Sequence, residues 1–437
     1  MDKRFLLLIW LFLSSTAAIG QTSTGFAPSE GVDLYYETYG EGQPMVIING
    51  GPGFNCKGFQ GLAKRLAQQY RVILYDQRGT GRSVMEQIDS TRMTMGLMVA
   101  DLEALRKHLG FQEWTVLGHS FGGILGNYYA AQHPASLKAL IASASGGIDL
   151  TLLRSFDLTQ RMTTAQRDSF QYWTAQASAG DTSAWADARR RAFMATAYVY
   201  DDAHAPRVAE RLGQGNPQIN QLIWQDLQRI GYSVQAAAGT FEKPVLVIQG
   251  EQDVVSLQIA EKAHEAYPNS RLEILPECGH YGWLDQPERY FSALAGFMQQ
   301  VAEEDEQQIR QVLENYVRSI YEADTALVYE VTNSRLQKSG HYYATGSGQW
   351  VYSNMSFQQL VRTAARYNRQ GTLPENAPLK IEVFDIGSRT ASAKVAAIWG
   401  YDYVLLSQND NGQWRMDKVL WQSYSPEAQQ DRQAIGP

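Results

Sequence analysis

Two cysteines, Cys56 and Cys278, are all that the 437 residues carry, so no disulfide framework holds this chain together. Both fall beside glycine-rich loops, and a pair of small buried thiols is the commoner outcome, although pairing in an oxidising compartment stays open. Long apolar runs are equally scarce: after the first twenty residues no stretch is long and apolar enough to cross a bilayer. An excess of positive charge is missing too. Lys and Arg number 38 against 45 Asp and Glu, a formal net charge of -7 that removes the electrostatic case for a nucleic-acid partner. Metal-ligand spacings and phosphate loops are absent, so no cofactor is expected. Disorder is disfavoured by the 11% aromatic and 19% charged content, and the length predicts two domains.

What is present begins with a secretory pattern. Lys3 and Arg4 form a basic start, Phe5 to Leu13 form an apolar core too short to span a membrane, and Ala18-Ile19-Gly20 offers small residues for cleavage before Gln21. The expected location is periplasmic or secreted, with no membrane contact after cleavage; a retained anchor is the alternative.

After a short polar lead, strands and helices alternate. Val32 to Tyr39 has one apolar face, whereas Pro44 to Ile48, Arg71 to Tyr75, Trp114 to Leu117 and Leu137 to Ser143 are the continuous apolar runs of strands buried on both faces. Helical spacing covers Phe59 to Gln69, Met95 to Leu109 and Ile124 to Ala131. This pattern predicts an α/β fold with a mostly parallel sheet. From about 148 to 240 the strands stop and helical segments take over, which reads as a cap over the sheet's catalytic end. Strands resume at Pro244 to Gln249 and Arg271 to Leu275, and a helix over Pro287 to Val301 closes the unit. Asp76, Arg78 and Arg82, among glycines at a strand end, read as loop organisers.

Gly118-His119-Ser120-Phe121-Gly122 sits between the third of those continuous runs, Trp114 to Leu117, and the helix after it. Such a G-x-S-x-G turn needs glycines because bulkier residues two positions either side of a strained serine would strike the neighbouring backbone. Ser120 is the expected nucleophile. Asp253 and His280 follow later strands in the order that a serine nucleophile, an orienting acid and a proton-carrying imidazole take in α/β-hydrolases. Glu251 competes for the acid and His119 for the base, but Glu251 sits too close to its strand end, and His119 neighbours the nucleophile on a tight turn. The N–H groups of Phe121 and Gly51 are the expected oxyanion donors, with Gly50 in reserve.

Together with Gly50-Gly51-Pro52-Gly53, Asp76-Gln77-Arg78-Gly79-Thr80-Gly81-Arg82-Ser83, Gly250-Glu251-Gln252-Asp253 and Gly279-His280, the elbow resembles the proline iminopeptidase branch of the α/β-hydrolase superfamily over about residues 27 to 301. The resemblance implies a serine aminopeptidase that works through an acyl-enzyme, needs no metal and releases N-terminal residues from short peptides. Two departures stand out. Asn49 occupies the position where that branch usually has His, and the glutamates that bind the substrate amine have no clear counterpart. Asp201, Asp202, Glu210 and Asp226 are the cap carboxylates available for that role. A pocket without carboxylates would instead favour a carboxylesterase or another acyl hydrolase. A non-catalytic binding protein is opposed by the intact serine, aspartate and histidine.

Beyond an acidic stretch at Glu303 to Gln308, an amphipathic helix runs through Ile309, Leu313, Tyr316 and Ile320, and a further helix covers Ser356 to Tyr367. Strands follow at Leu379 to Phe384, Thr390 to Trp399, Tyr401 to Ser407 and Gln413 to Leu420, with a hairpin turn at Asn409-Asp410-Asn411-Gly412. The helix opening, Gly387 and Asp410 to Trp414 resemble the cone-shaped α+β nuclear transport factor two-like superfamily, its lumazine-binding group in particular, over about 303 to 424. That resemblance implies a pocketed domain used for small ligands or dimerisation, which leaves homo-oligomerisation open. His341, Tyr342 and Tyr343 are expected in its core, with a pocket lining as the alternative.

Overall fold

The computed structural model describes residues 21–425 apart from 156, 375, 388, 410 and 411. The expected secretory segment and the centre of the Asn409 to Gly412 turn lie outside the described residues.

Eight strands form the first sheet: β1 (Gln21–Ser29), β2 (Val32–Tyr39), β3 (Pro44–Ile48), β4 (Arg71–Tyr75), β5 (Trp114–His119), β6 (Leu137–Ser143), β7 (Val245–Gly250) and β8 (Ser270–Leu275). Their order is β1-β2-β4-β3-β5-β6-β7-β8, antiparallel at β1 and β2 and parallel from β4 onwards. Two-residue alternation splits each apolar run between two cores. Val46, Ile48, Val116 and Leu140 enter one, while Met45, Ile47, Leu117 and Ile141 enter the other on the opposite face. The polar lead after Gln21 is in fact edge strand β1. Only Ala27 of its second half is fully buried and Phe26 stays exposed, so pairing rests on the backbone and leaves little pattern in the side chains.

Between β6 and β7 the chain forms the helical cap, whose ends are tied by a bridge between Asp149 and Ser233 and by Val234 N–H donating to Ile148 O at 2.8 Å. Both cysteines are buried free thiols.

The acidic stretch at Glu303 to Gln308 is not a linker. A single helix, Pro287–Tyr321, runs 35 residues straight through it. The stretch contains no Gly or Pro, and its side chains support the helix: Gln299 and Gln300 donate to Glu303 and Glu304, and Arg310 pairs with Glu306. Asp305 is buried where it meets Lys138 of β6 and the indole of Trp414.

The second sheet contains β9 (Thr332–Ala344), β10 (Gln349–Ser356), β11 (Leu379–Ile386), β12 (Thr390–Ala397), β13 (Gly400–Gln408) and β14 (Trp414–Ser423), in the order β10-β9-β14-β13-β12-β11. It curls over the second half of the long helix and the helix Phe357–Tyr367. Strand β9 escapes sequence reading because a lysine takes one of its inward positions: Lys338 is buried and donates at 2.7 Å to both Asp402 and the Tyr316 hydroxyl. His341 and Tyr342, expected in the core, are both exposed, on opposite faces of the strand, and Tyr343 is half-buried.

Candidate active site

Ser120 caps the helix Phe121–Gln132 at the end of β5 with φ 57° and ψ -120°, a conformation an L-residue keeps only when its surroundings enforce it. The surroundings do so. Ser120 N–H donates to Ser143 O at 3.0 Å, and its carbonyl accepts from Gly123 at 2.9 Å and Gly146 at 3.0 Å. A Cβ on Gly122 would lie 2.0 Å from Ile48 O, so only glycine lets the helix start pack against β3. Ser120 consequently faces a cavity of about 620 Å³ between sheet and cap, with the positive end of its helix behind it.

His280 follows β8 and lines the same cavity. Its backbone N–H donates to Tyr198 O of the cap at 2.8 Å, and the preceding Gly279 N–H donates to Asp285 at 2.9 Å. On the ring, Nδ1 lies 2.8 Å from Asp253 Oδ1 and 3.0 Å from Oδ2. Asp253 is itself held by Gln249 Nε2 at 2.7 Å and Val255 N–H at 3.0 Å. With Nδ1 donating to the carboxylate, Nε2 is the nitrogen left for a proton from serine. Glu251 stays exposed and bonds to its neighbour Gln252, so Asp253 is the acid that meets the imidazole.

His119 is buried among the rings of Phe59, Tyr281, Trp283 and His280, the last at 4.6 Å between centroids. Burial, then the neighbouring His280 and Arg211 charges, holds its pKa well below the usual imidazole range, so it packs as a neutral ring.

Gly50, Gly51 and Phe121 line the cavity beside Ser120. The glycine loop is braced from several directions. Asn49 donates to Phe54 O at 3.1 Å, Gln77 donates to Asn49 O at 3.0 Å, and Arg211 of the cap donates to Gly50 O at 2.9 Å and Asn55 O at 3.1 Å. Asp76 ties Cys56 N–H and Arg82 N–H, each at 2.8 Å, while Arg78 makes a buried fork to Asp101. None of Asp76, Arg78 and Arg82 lines the cavity.

The four cap carboxylates expected to bind a substrate amine do not line this cavity. Asp201 is spent on an Asx turn to Ala203 N–H, and Asp202 accepts from Gln166; both border a separate surface hollow. Glu210 is exposed. Asp226 is buried, where it caps the helix Met95–His108 through Met95 N–H at 2.8 Å and binds Arg229. Among the described residues, the charged ones that do line the cavity are Arg190, Arg191 and Arg211, together with the two histidines, and no Asp or Glu joins them. Sequence reading missed these arginines. The run Arg189-Arg190-Arg191 was visible, but which of its members face inward depends on how the helix Ala184–Thr196 docks.

Comparison with known proteins fits this geometry. Residues 43–287 match the family described as alpha/beta hydrolase fold, and residues 304–422 match the family described as "Putative lumazine-binding". A proline iminopeptidase of Xanthomonas citri is 29% identical over 294 residues, which is 56% of this chain and 87% of the relative. That of Clostridioides difficile (strain 630) is 27% identical over 290 residues, 63% of this chain and 97% of the relative. Among solved structures, an alpha/beta fold family hydrolase from Bacillus anthracis str. Sterne aligns with TM-score 0.52 at 18% identity, covering 63% of this chain and 99% of that one; at this identity the likeness concerns the fold alone.

Proposed function

The chain belongs to the α/β-hydrolase fold family, and from that premise we propose that it is a serine hydrolase acting through an acyl-enzyme on Ser120. The observation that carries the reading is the Asp253 to His280 contact of 2.8 Å beside the cavity that holds the strained Ser120. Ser120 Oγ attacks the acyl carbon of the substrate while His280 Nε2 takes its proton, and Asp253 fixes the tautomer and stabilises the imidazolium. The N–H groups of Phe121 and Gly51 hold the oxyanion. Collapse of the tetrahedral species breaks the bond to the leaving group, which takes the proton from His280, and water then repeats the sequence to free the acid and restore Ser120.

For the bond cleaved, the named relatives support an aminopeptidase of the proline iminopeptidase type acting on short peptides. A second reading, hydrolysis of an ester or another acyl compound, is favoured by the cavity lining, which offers a substrate ammonium no carboxylate. A panel of prolyl and alanyl amides with free and blocked amines, beside short acyl esters, separates the two. Turnover of free-amine amides alone supports the peptidase, ester turnover alone supports the second reading, and activity that survives Ser120→Ala removes the nucleophile assignment.

A further inference from the structure

The cap wall of the Ser120 cavity carries two guanidinium groups on adjacent residues, Arg190 and Arg191. Within the protein they share a single carboxylate. Arg190 reaches Asp187 Oδ1 at 3.0 Å and Arg191 reaches Asp187 Oδ2 at 2.5 Å, and Asp187 is not itself part of the lining. Arg190 Nε is buried without a hydrogen-bond partner among the described residues. Arg211, the third arginine of the lining, is spent on carbonyl oxygens and is paired with no carboxylate among the described residues, so its charge adds to the surplus. A cavity lined by three arginines and no acid attracts an anion and repels an ammonium.

We propose that Arg190 and Arg191 form an anion-binding subsite, and that the natural substrate of Ser120 carries a carboxylate on the part of the molecule that enters the cap. The planar fork of a guanidinium matches the two oxygens of a carboxylate, and Asp187 takes only Nη2 of Arg190 and Nη1 of Arg191, which leaves the other terminal nitrogen of each for it. Selectivity of this kind runs opposite to recognition of a free amino terminus. The subsite rests on the serine hydrolase reading but not on whether the bond cleaved is an ester or an amide.

The test uses three p-nitrophenyl esters of similar length whose chains are too long to cyclise readily: the octanoate, the hemiester of suberate, which ends in a carboxylate, and the 8-aminooctanoate, which ends in an ammonium. A fluorophosphonate probe reports on Ser120 independently of any substrate. The expected result is a kcat/KM for the hemiester at least about tenfold above that for the octanoate, with the 8-aminooctanoate ester lowest and the difference residing mainly in KM. In the Arg190→Gln, Arg191→Gln double variant that ratio falls towards one. In Asp187→Asn, which releases both guanidiniums from their internal partner, it rises. A wild-type ratio near one, a preference for the ammonium ester, or an unchanged ratio in the double variant overturns the subsite while ester turnover and probe labelling keep the hydrolase reading. Loss of both turnover and labelling in the wild-type protein overturns the hydrolase reading and the subsite with it.

Discussion

Arg211, on the cap helix Ala205–Leu212, donates to the carbonyl oxygen of Gly50 at 2.9 Å across 161 residues of chain. Its guanidinium also lies over the rings of Phe54 and Phe59, at 5.1 and 4.6 Å. The cap therefore holds the glycine loop beside the nucleophile as well as covering the cavity. Arg211→Ala should lower kcat by about 10- to 100-fold, since a displaced N–H donor weakens oxyanion binding. Steady-state kinetics alongside a urea titration separates this loss from a loss of stability, and Arg211→Lys, with its single ammonium, should recover only part of it.

The 2.8 Å contact between Asp253 and His280 predicts a second result. Asp253→Asn keeps the shape but presents an amide that favours the wrong imidazole tautomer, so kcat should fall about 10⁴-fold. Glu251→Gln, in the exposed competitor, should change kcat by less than about twofold.

Glu103 sets an acid limb of stability. Burial by itself would raise its carboxyl, but hydrogen bonds from Arg106 and Tyr129 override that and lower it from 4.5 to about 2. A carboxyl depressed in the folded state contributes stability that is complete above its unfolded value of 4.5 and is lost as pH falls towards about 2. Thermal melts between these limits should show a decline in Tm that is shallower in Glu103→Gln, which should start from a lower Tm at neutral pH.

Gly122→Ala would place a Cβ 2.0 Å from the carbonyl oxygen of Ile48. The expected cost is about 3 kcal/mol, because the contact is with backbone that cannot move aside. Chemical denaturation measures it, and the remaining folded fraction should label poorly with a serine probe.

The continuous helix Pro287–Tyr321 couples the two sheets, and buried Asp305 joins Lys138 and Trp414 across it. Asp305→Ala leaves the Lys138 charge without its closest partner. Calorimetry should then show the unfolding transition broaden or split in two, whereas the wild-type protein should unfold in more nearly one step.

The proposed nucleophile, acid and base could be named from the chain because each hangs on a local rule. Continuous apolar runs mark strands buried on both faces, and a serine between glycines at the end of one of them has a steric reason to be there. Strands β11 to β14 were equally legible from their alternation. Strands β1, β9 and β10 were not, since the edge strands β1 and β10 bury little and in β9 a buried lysine breaks the pattern that marks an inward face. Whether Glu303 to Gln308 joined the domains or began a helix stayed open in the sequence, because its charge suits a solvated connection as well as a helix; in the structure it is the middle of one helix.

Residue types alone thus determined the sheet and the strained turn at Ser120, which follow from periodicity and backbone sterics, and pointed to Asp253 and His280 as its proposed partners. Only the tertiary structure decided what the cap presents to the substrate. Asp201, Asp202, Glu210 and Asp226 turn to caps, turns and solvent while Arg190, Arg191 and Arg211 turn to the cavity. Which face of a short polar helix is inward depends on its docking, and a helix with charges all around carries no record of that choice in its sequence.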